Sequence, residues 1–70
     1  MLKKRSFSLS RHRTSVALEA EFWAVLEVDA AAKEKTLTAL VGEVDAAREL
    51  RPLASALRLH ALAVALRGPK

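Results

Sequence analysis

Side chains that can hydrogen-bond to nucleic-acid bases and phosphates are concentrated near the start of the chain. Arg13 and Ser15 alternate with less polar residues, and Lys3, Lys4 and Arg5 precede them. An arginine can donate two hydrogen bonds to the O6 and N7 atoms of guanine, and a serine can bond to several base edges. Lysine and arginine side chains close to a duplex also contact its phosphates. These residue types therefore indicate that the chain binds a polyanion.

The distribution of charge supports this interpretation. Residues 1–18 carry five basic side chains and no acidic one, residues 19–50 carry eight acidic against three basic ones, and residues 51–70 carry four basic ones. A basic segment on a nearly neutral body is typical of proteins that bind nucleic acids. An acid-poor start rich in Ser and Arg also occurs in organelle transit peptides, but those form amphipathic helices, whereas this segment alternates like a strand. The predicted phosphate contacts in this segment are Lys3, Lys4, Arg5 and Arg11.

Catalytic and metal-binding patterns are not found. His12 and His60 have no Cys, His or carboxylate at the spacing of metal ligands, and the chain contains no Cys. Gly-rich phosphate loops and nucleophile elbows are also missing from the sequence. We therefore expect a protein that is not an enzyme and that uses no cofactor or metal. Asp29 and Asp45 are expected to be solvated or paired with Lys33 and Arg48.

The candidate base-reading side chains need a strand that fixes their spacing. Residues 6–10 alternate between polar and apolar, and residues 13–18 alternate again. One side of the second segment carries Arg13, Ser15 and Ala17, and the other side carries Thr14, Val16 and Leu18. The two segments form either a hairpin that turns near Arg11 and His12 or a loose arm followed by one strand. Because no Gly, Asn or Pro marks a turn, the sequence favours a basic arm over residues 1–12 and then a strand.

Three helices are predicted after the strand, so the fold is expected to be mainly α with one short β-strand. The first helix covers about residues 19–33, and Thr36 is suited to cap the start of the second. The second helix should end near Leu50, because the residue before Pro52 is disfavoured in the α region. The third runs from Pro52 to about residue 67. The predicted domain therefore covers residues 13–67, and residues 68–70 form a tail.

A chain of this size requires additional stabilisation. About 60% of the surface of such a short unfolded chain is buried on folding, and a lone strand leaves its backbone groups unpaired. Pairing with the same strand of a second copy would solve both problems, in an intertwined homodimer with a two-stranded antiparallel ribbon. A ribbon of this kind fits the DNA major groove. The expected dimer core consists of Val16, Leu18, Phe22, Trp23, Leu26, Leu40, Val41 and Val44.

The order and spacing of these features resemble the ribbon-helix-helix family of DNA-binding repressors. The resemblance rests on residues 13–18, the acidic helix start at Glu19, and Thr36 with the apolar pattern Leu37, Leu40, Val41 and Val44. The chain is more closely similar to a compact bacterial subfamily with an added third helix. That similarity lies in residues 12–16, 22–23, 40–41, 43–45 and 55–58. At the turn between the first two helices the family normally has a Gly or Asn that can take positive φ. This chain has Glu34 and Lys35 there.

The resemblance implies a function and a set of site residues. It implies a homodimeric transcription regulator in which Arg13, Ser15 and Ala17 read bases of double-stranded DNA. It also implies that a phosphate lies at the start of the second helix, at Thr36, Leu37 and Thr38. The alternative is a protein-interaction module, such as an antitoxin that neutralises a toxin-like partner, which the wide apolar surface of the third helix would favour. No membrane is expected as a partner, because the longest apolar run is too short to span a bilayer, and the protein is expected to be cytoplasmic.

Overall fold

A two-stranded antiparallel ribbon followed by three helices forms the fold, as predicted. The computed structural model describes residues 1–9 and 12–67. Strand β1 covers Leu2–Leu9 and strand β2 covers His12–Glu19. The helices are α1 at Ala20–Ala32, α2 at Leu37–Ala47 and α3 at Leu53–Arg67. Arg11 and the predicted tail at residues 68–70 lie outside the described residues.

Both strands of the ribbon come from the same chain. β1 pairs with β2 in a register that places Ser6 opposite Ser15 and Phe7 opposite Thr14. The preference for a loose arm is therefore wrong over Leu2–Leu9, and the hairpin is the arrangement observed. The physical reason is burial: Phe7 and Leu9 are only 6% and 8% exposed, on the same side of the ribbon as the buried residues of β2. The argument from a lone strand therefore does not hold, and the intertwined homodimer stays a prediction.

A single core lies between the inner face of the ribbon and the three helices. Its fully buried large side chains are Leu18, Leu26, Leu40, Val41 and Leu57. Burying an aliphatic side chain of this size contributes about 1.5–3 kcal/mol. Of the eight side chains predicted for a dimer core, the structure buries six in the core of one chain and places Phe22 and Val44 against it, partly exposed. The six buried ones have almost no surface left for a second chain.

The helix boundaries follow local hydrogen bonds. The hydroxyl of Thr36 accepts a hydrogen bond from the Ala39 backbone N–H at 3.0 Å, which is the predicted N-cap. At the end of α1, Lys35 N–H donates to Ala30 O and Glu34 N–H donates to Ala31 O, both at 3.0 Å. This pair of bonds is a Schellman motif, which requires a left-handed residue. Glu34 takes that conformation, with φ of 57°.

A buried carboxylate links α1 to α3. Asp29 is 7% exposed, and its Oδ2 atom accepts hydrogen bonds from His60 Nε2 at 2.8 Å and Lys33 Nζ at 3.1 Å. Burial opposes ionisation, but these two hydrogen bonds outweigh it and hold the pKa of the Asp29 carboxyl below its ordinary value. Of the two expectations for these carboxylates, solvation or pairing, the structure has pairing: Asp29 with Lys33, and Asp45 with Arg48 at 2.7 Å. The bond to His60 fixes α3 on α1.

Candidate nucleic-acid interface

The outer face of the ribbon points away from the helices. On β2, Arg13 and Ser15 are exposed and Ala17 is partly exposed, whereas Val16 and Leu18 are buried on the opposite side. The structure therefore has the alternation that the sequence predicts. The strand directs all three candidate base-reading side chains outwards, because successive side chains of a strand point to opposite faces.

Strand β1 adds polar side chains to this surface. The register places Lys4 opposite Ala17, Ser6 opposite Ser15 and Ser8 opposite Arg13. The hydroxyl oxygens of Ser6 and Ser15 lie 3.0 Å apart and share a hydrogen bond across the two strands. We call this surface the open face, and it consists of Lys4, Ser6, Ser8, Arg13, Ser15 and Ala17. The sequence prediction did not include Ser6 and Ser8 among the candidate base-reading residues, although the alternation of residues 6–10 indicates a strand whose polar side they form.

The open face carries two cations and three hydroxyl groups and no carboxylate. A guanidinium can bond to guanine, a hydroxyl both donates and accepts hydrogen bonds, and an alanine methyl can contact the methyl group of thymine. The acidic residue at the end of β2, Glu19, is turned towards α3 and pairs with Arg58 at 3.1 Å. A backbone hydrogen bond keeps the pKa of Glu19 below its ordinary value, although desolvation acts to raise it. The hydrogen bond and charge of Arg58 lower the pKa further. The surface is therefore suited to a polyanion that presents base edges.

The basic residues at the start of β1 differ in the contacts that their side chains make. Arg5 forms an ion pair with Glu27 at 2.7 Å, and its guanidinium carbon lies 5.0 Å from the centre of the Trp23 ring. Lys3 and Lys4 border a surface groove of about 400 Å³ beside this cluster. A phosphate contact by Arg5 would have to compete with Glu27. The two lysines are therefore the better candidates for phosphate contacts.

Trp23 belongs to the core. It is 2% exposed, its ring lies 5.8 Å from that of Phe7, and its Nε1–H donates a hydrogen bond to the Lys3 carbonyl at 2.8 Å. This contact joins α1 to β1. It leaves no open ring face on which a base could stack, so Trp23 lies in the core of one chain, and its predicted place in a dimer core stays a prediction.

The start of α2 offers backbone donors. The Thr36 hydroxyl is engaged as the helix cap, Leu37 packs against the core and Thr38 is exposed. The first N–H groups of a helix have no partner within it, so those of Leu37 and Thr38 could face an anion. Phosphate binding at these residues stays a prediction.

Membrane and metal features are not found in the described part of the chain. None of its helices combines the length and the apolar character needed to cross a bilayer. Within residues 1–9 and 12–67, no three His, Cys, Asp or Glu side chains are grouped so that they could hold a metal ion.

Comparison with known proteins identifies the family of the chain. A family model described as a ribbon-helix-helix domain matches residues 2–65, a range that covers the ribbon, α1, α2 and most of α3. Searches of curated proteins and of solved structures gave no significant match. Domains of this kind are typically DNA-binding transcription regulators or antitoxins and are generally not enzymes. With the ribbon, the three helices and a match over nearly the whole chain, this protein belongs to the ribbon-helix-helix family.

Proposed function

We propose that this protein is a transcription regulator that binds double-stranded DNA by placing the open face of its ribbon in the major groove. The observation that carries the proposal is the open face itself, an acid-free surface with two cations and three hydroxyl groups on an element of the right width. The major groove admits a two-stranded β-ribbon and displays a different pattern of donors and acceptors for each base pair. Binding there gives sequence selectivity.

Arg13 is assigned the main base contact. It is exposed on β2 opposite Ser8, on the open face. A bidentate bond between arginine and guanine discriminates against other bases by about 1–3 kcal/mol. Ser15 shares its hydroxyl with Ser6 and can present either a donor or an acceptor. Ala17 contributes at most a methyl contact, so selectivity is expected to be modest.

The phosphate contacts are assigned to Lys3 and Lys4, with Arg5, Arg11 and the start of α2 as further candidates. Lys3 and Lys4 lie at the end of the ribbon opposite its turn, beside the groove next to Trp23. Contacts of this kind position a protein on a duplex and carry no sequence information.

We further propose that the protein acts as a homodimer. Ribbon-helix-helix domains form dimers, and a two-fold pair would read two half-sites. Within the chain β1 pairs with β2, which leaves the other edge of each strand open to a second copy. The most exposed apolar side chains of the helices lie on α3 and at Val28 of α1.

The direct test is duplex binding measured by fluorescence anisotropy. Arg13→Ala should lose about 1–3 kcal/mol of affinity for a selected duplex and much less for a scrambled one. Arg51→Ala is the matched control, because it removes the same charge from an exposed position in the connection between α2 and α3. Equal losses on both duplexes would make Arg13 a phosphate contact, and no duplex binding at low salt by the unmodified protein would contradict the proposal.

The second candidate function is that of an antitoxin, and the apolar surface of α3 favours it. Leu59, Leu62 and Leu66 are 47%, 50% and 78% exposed, and a partner protein could cover them. Antitoxins and DNA-binding regulators occur in the same family, so one chain can serve both functions. A stoichiometric complex with a protein partner, in which these leucines are buried, would support this candidate.

A further inference from the structure

Two serine hydroxyls meet across the strands at the centre of the open face. Ser6 of β1 lies opposite Ser15 of β2, and their hydroxyl oxygens are 3.0 Å apart. Either hydroxyl can donate the hydrogen bond that joins them. Both residues are exposed, so they lie on the surface that the proposed function places against DNA. We call Ser6 and Ser15 the serine pair.

The core holds the serine pair in a fixed register. Phe7 and Leu9 of β1 and Val16 and Leu18 of β2 are buried on the face of the ribbon opposite the pair. A slip of one residue would turn the buried side chains of a strand to the solvent, so their burial fixes the pairing of the strands. The two hydroxyls are therefore presented together before any ligand binds, which lowers the entropic cost of association.

The bond within the serine pair determines which hydrogen bonds the pair can make with a base. Each hydroxyl has one hydrogen and two acceptor lone pairs. The hydroxyl that donates within the pair has used its only hydrogen, so it can only accept from a ligand. The other hydroxyl keeps its hydrogen free and can donate. The pair therefore presents one acceptor and one donor side by side, and Ser6 and Ser15 can exchange these two roles.

We infer that the serine pair recognises adenine in the major groove. Adenine displays there the N6 amino group as a donor and the neighbouring N7 atom as an acceptor. The N6–H donates to the first hydroxyl, the first hydroxyl donates to the second, and the second donates to N7, which closes a ring of hydrogen bonds. The inference rests on the proposed function, because it requires the open face to lie in the major groove.

The other three bases complement the serine pair less well. Guanine displays two acceptors, O6 and N7, whereas the pair has one free hydrogen, so one guanine acceptor would face an oxygen lone pair. Cytosine displays the N4 amino donor and thymine the O4 acceptor, and each can make a single hydrogen bond with the pair. Arg13 has the opposite preference, because a guanidinium can only donate. The open face therefore carries an adenine-reading pair and a guanine-reading arginine, with Ser15 about 7 Å from Arg13 along β2, from two residues at about 3.4 Å each.

Base replacement in a duplex that the unmodified protein selects from random DNA tests the inference. Each A·T pair of the selected site is replaced by G·C, and affinity is measured by fluorescence anisotropy. At one such position the replacement should weaken binding about fivefold or more, the lower end of the range for a bidentate base contact. An adenine analogue with a carbon in place of N7 should weaken binding at the same position.

Ser6→Ala should remove most of the preference for adenine at that position, and so should Ser15→Ala. The double variant should lose no more of the preference than either single variant, because the first change already breaks the ring. Ser6→Thr keeps a hydroxyl and should keep the preference. Ser8→Ala is the matched control, because it removes a hydroxyl from the same face two residues along β1 and should leave the preference at that position unchanged.

A purely structural role of the serine pair predicts a different result. If the bond between the hydroxyls only stabilises the ribbon, Ser6→Ala weakens binding to every duplex by the same factor and leaves the base preference intact, which would overturn the inference. A selected site in which no A·T pair depends on Ser6 or Ser15 would overturn it as well. Both results leave the proposed function standing as long as the unmodified protein binds duplex DNA selectively. If the unmodified protein binds no duplex at low salt, the proposed function is contradicted and the inference is overturned with it.

Discussion

Trp23 joins the first strand of the ribbon to α1. Its ring is buried against Phe7, and its indole N–H is bonded to the Lys3 carbonyl at 2.8 Å. Trp23→Ala should therefore destabilise the protein by about 3–5 kcal/mol, as measured by urea unfolding. Trp23→Phe keeps an aromatic ring and loses mainly the hydrogen bond, so it should cost less than the alanine variant. Unchanged stability in Trp23→Ala would show that the ring is not part of the core.

Asp29 should make stability depend on pH in the acid range. Its folded-state pKa lies below the unfolded value of about 3.9, so its contribution is present above about pH 4 and is lost as the pH falls through the folded pKa. Asp29→Ala should cost about 1–3 kcal/mol at pH 7, because His60 and Lys33 lose their acceptor, and less at pH 3. Glu43→Ala, which breaks an exposed ion pair with Lys35, is the control and should cost under about 1 kcal/mol. An equal loss in the Asp29 variant at both pH values would contradict this account.

The sequence predicted some residue positions and not others for physical reasons. Strand alternation determines which side chains share a face, so Arg13, Ser15 and Ala17 were placed correctly on one side. The bond between Asp29 and His60 joins residues 31 positions apart. Such a contact depends on how α3 crosses α1, which periodicity within a helix does not reveal.

At the level of elements, the connection between α1 and α2 stores strain. Glu34 occupies the left-handed position of the Schellman motif, with φ of 57°, where glycine has no steric penalty. Glu34→Gly should stabilise the protein by up to about 1 kcal/mol in thermal or urea unfolding. Ala46→Gly, at an exposed position inside α2, is the matched control and should destabilise by about 1 kcal/mol. If both glycines destabilise, Glu34 does not have the backbone conformation described.

The elements themselves were largely predictable, and the main error lay in the first one. Helix starts and stops depend on local signals such as Thr36 and Pro52, and those predictions agree with the structure within a few residues. The choice between an arm and a hairpin depended on a turn signal that residues 9–12 lack. Burial of Phe7 and Leu9 in the core outweighed that local rule.

For the whole molecule, the proposed DNA complex should be sensitive to salt in a residue-specific way. Each phosphate contact contributes about 0.9 to the slope of log affinity against log salt. Lys4→Ala should therefore reduce the slope by about 0.9, according to the same relation. Arg5→Ala should change it less, because Arg5 is paired with Glu27. Anisotropy over a salt series measures both, and a larger change for Arg5 than for Lys4 would reverse the assignment of these contacts.

The most direct test of the central claim is a titration of the isotope-labelled protein with duplex DNA, followed by amide chemical shifts. The claim is that the open face of the ribbon is the DNA-binding surface. It predicts that the largest shifts occur at Ser6, Ser8, Arg13 and Ser15, and that residues 59–66 of α3 change little. Largest shifts on α3 or on the acidic side of α1, with the ribbon unaffected, would contradict it.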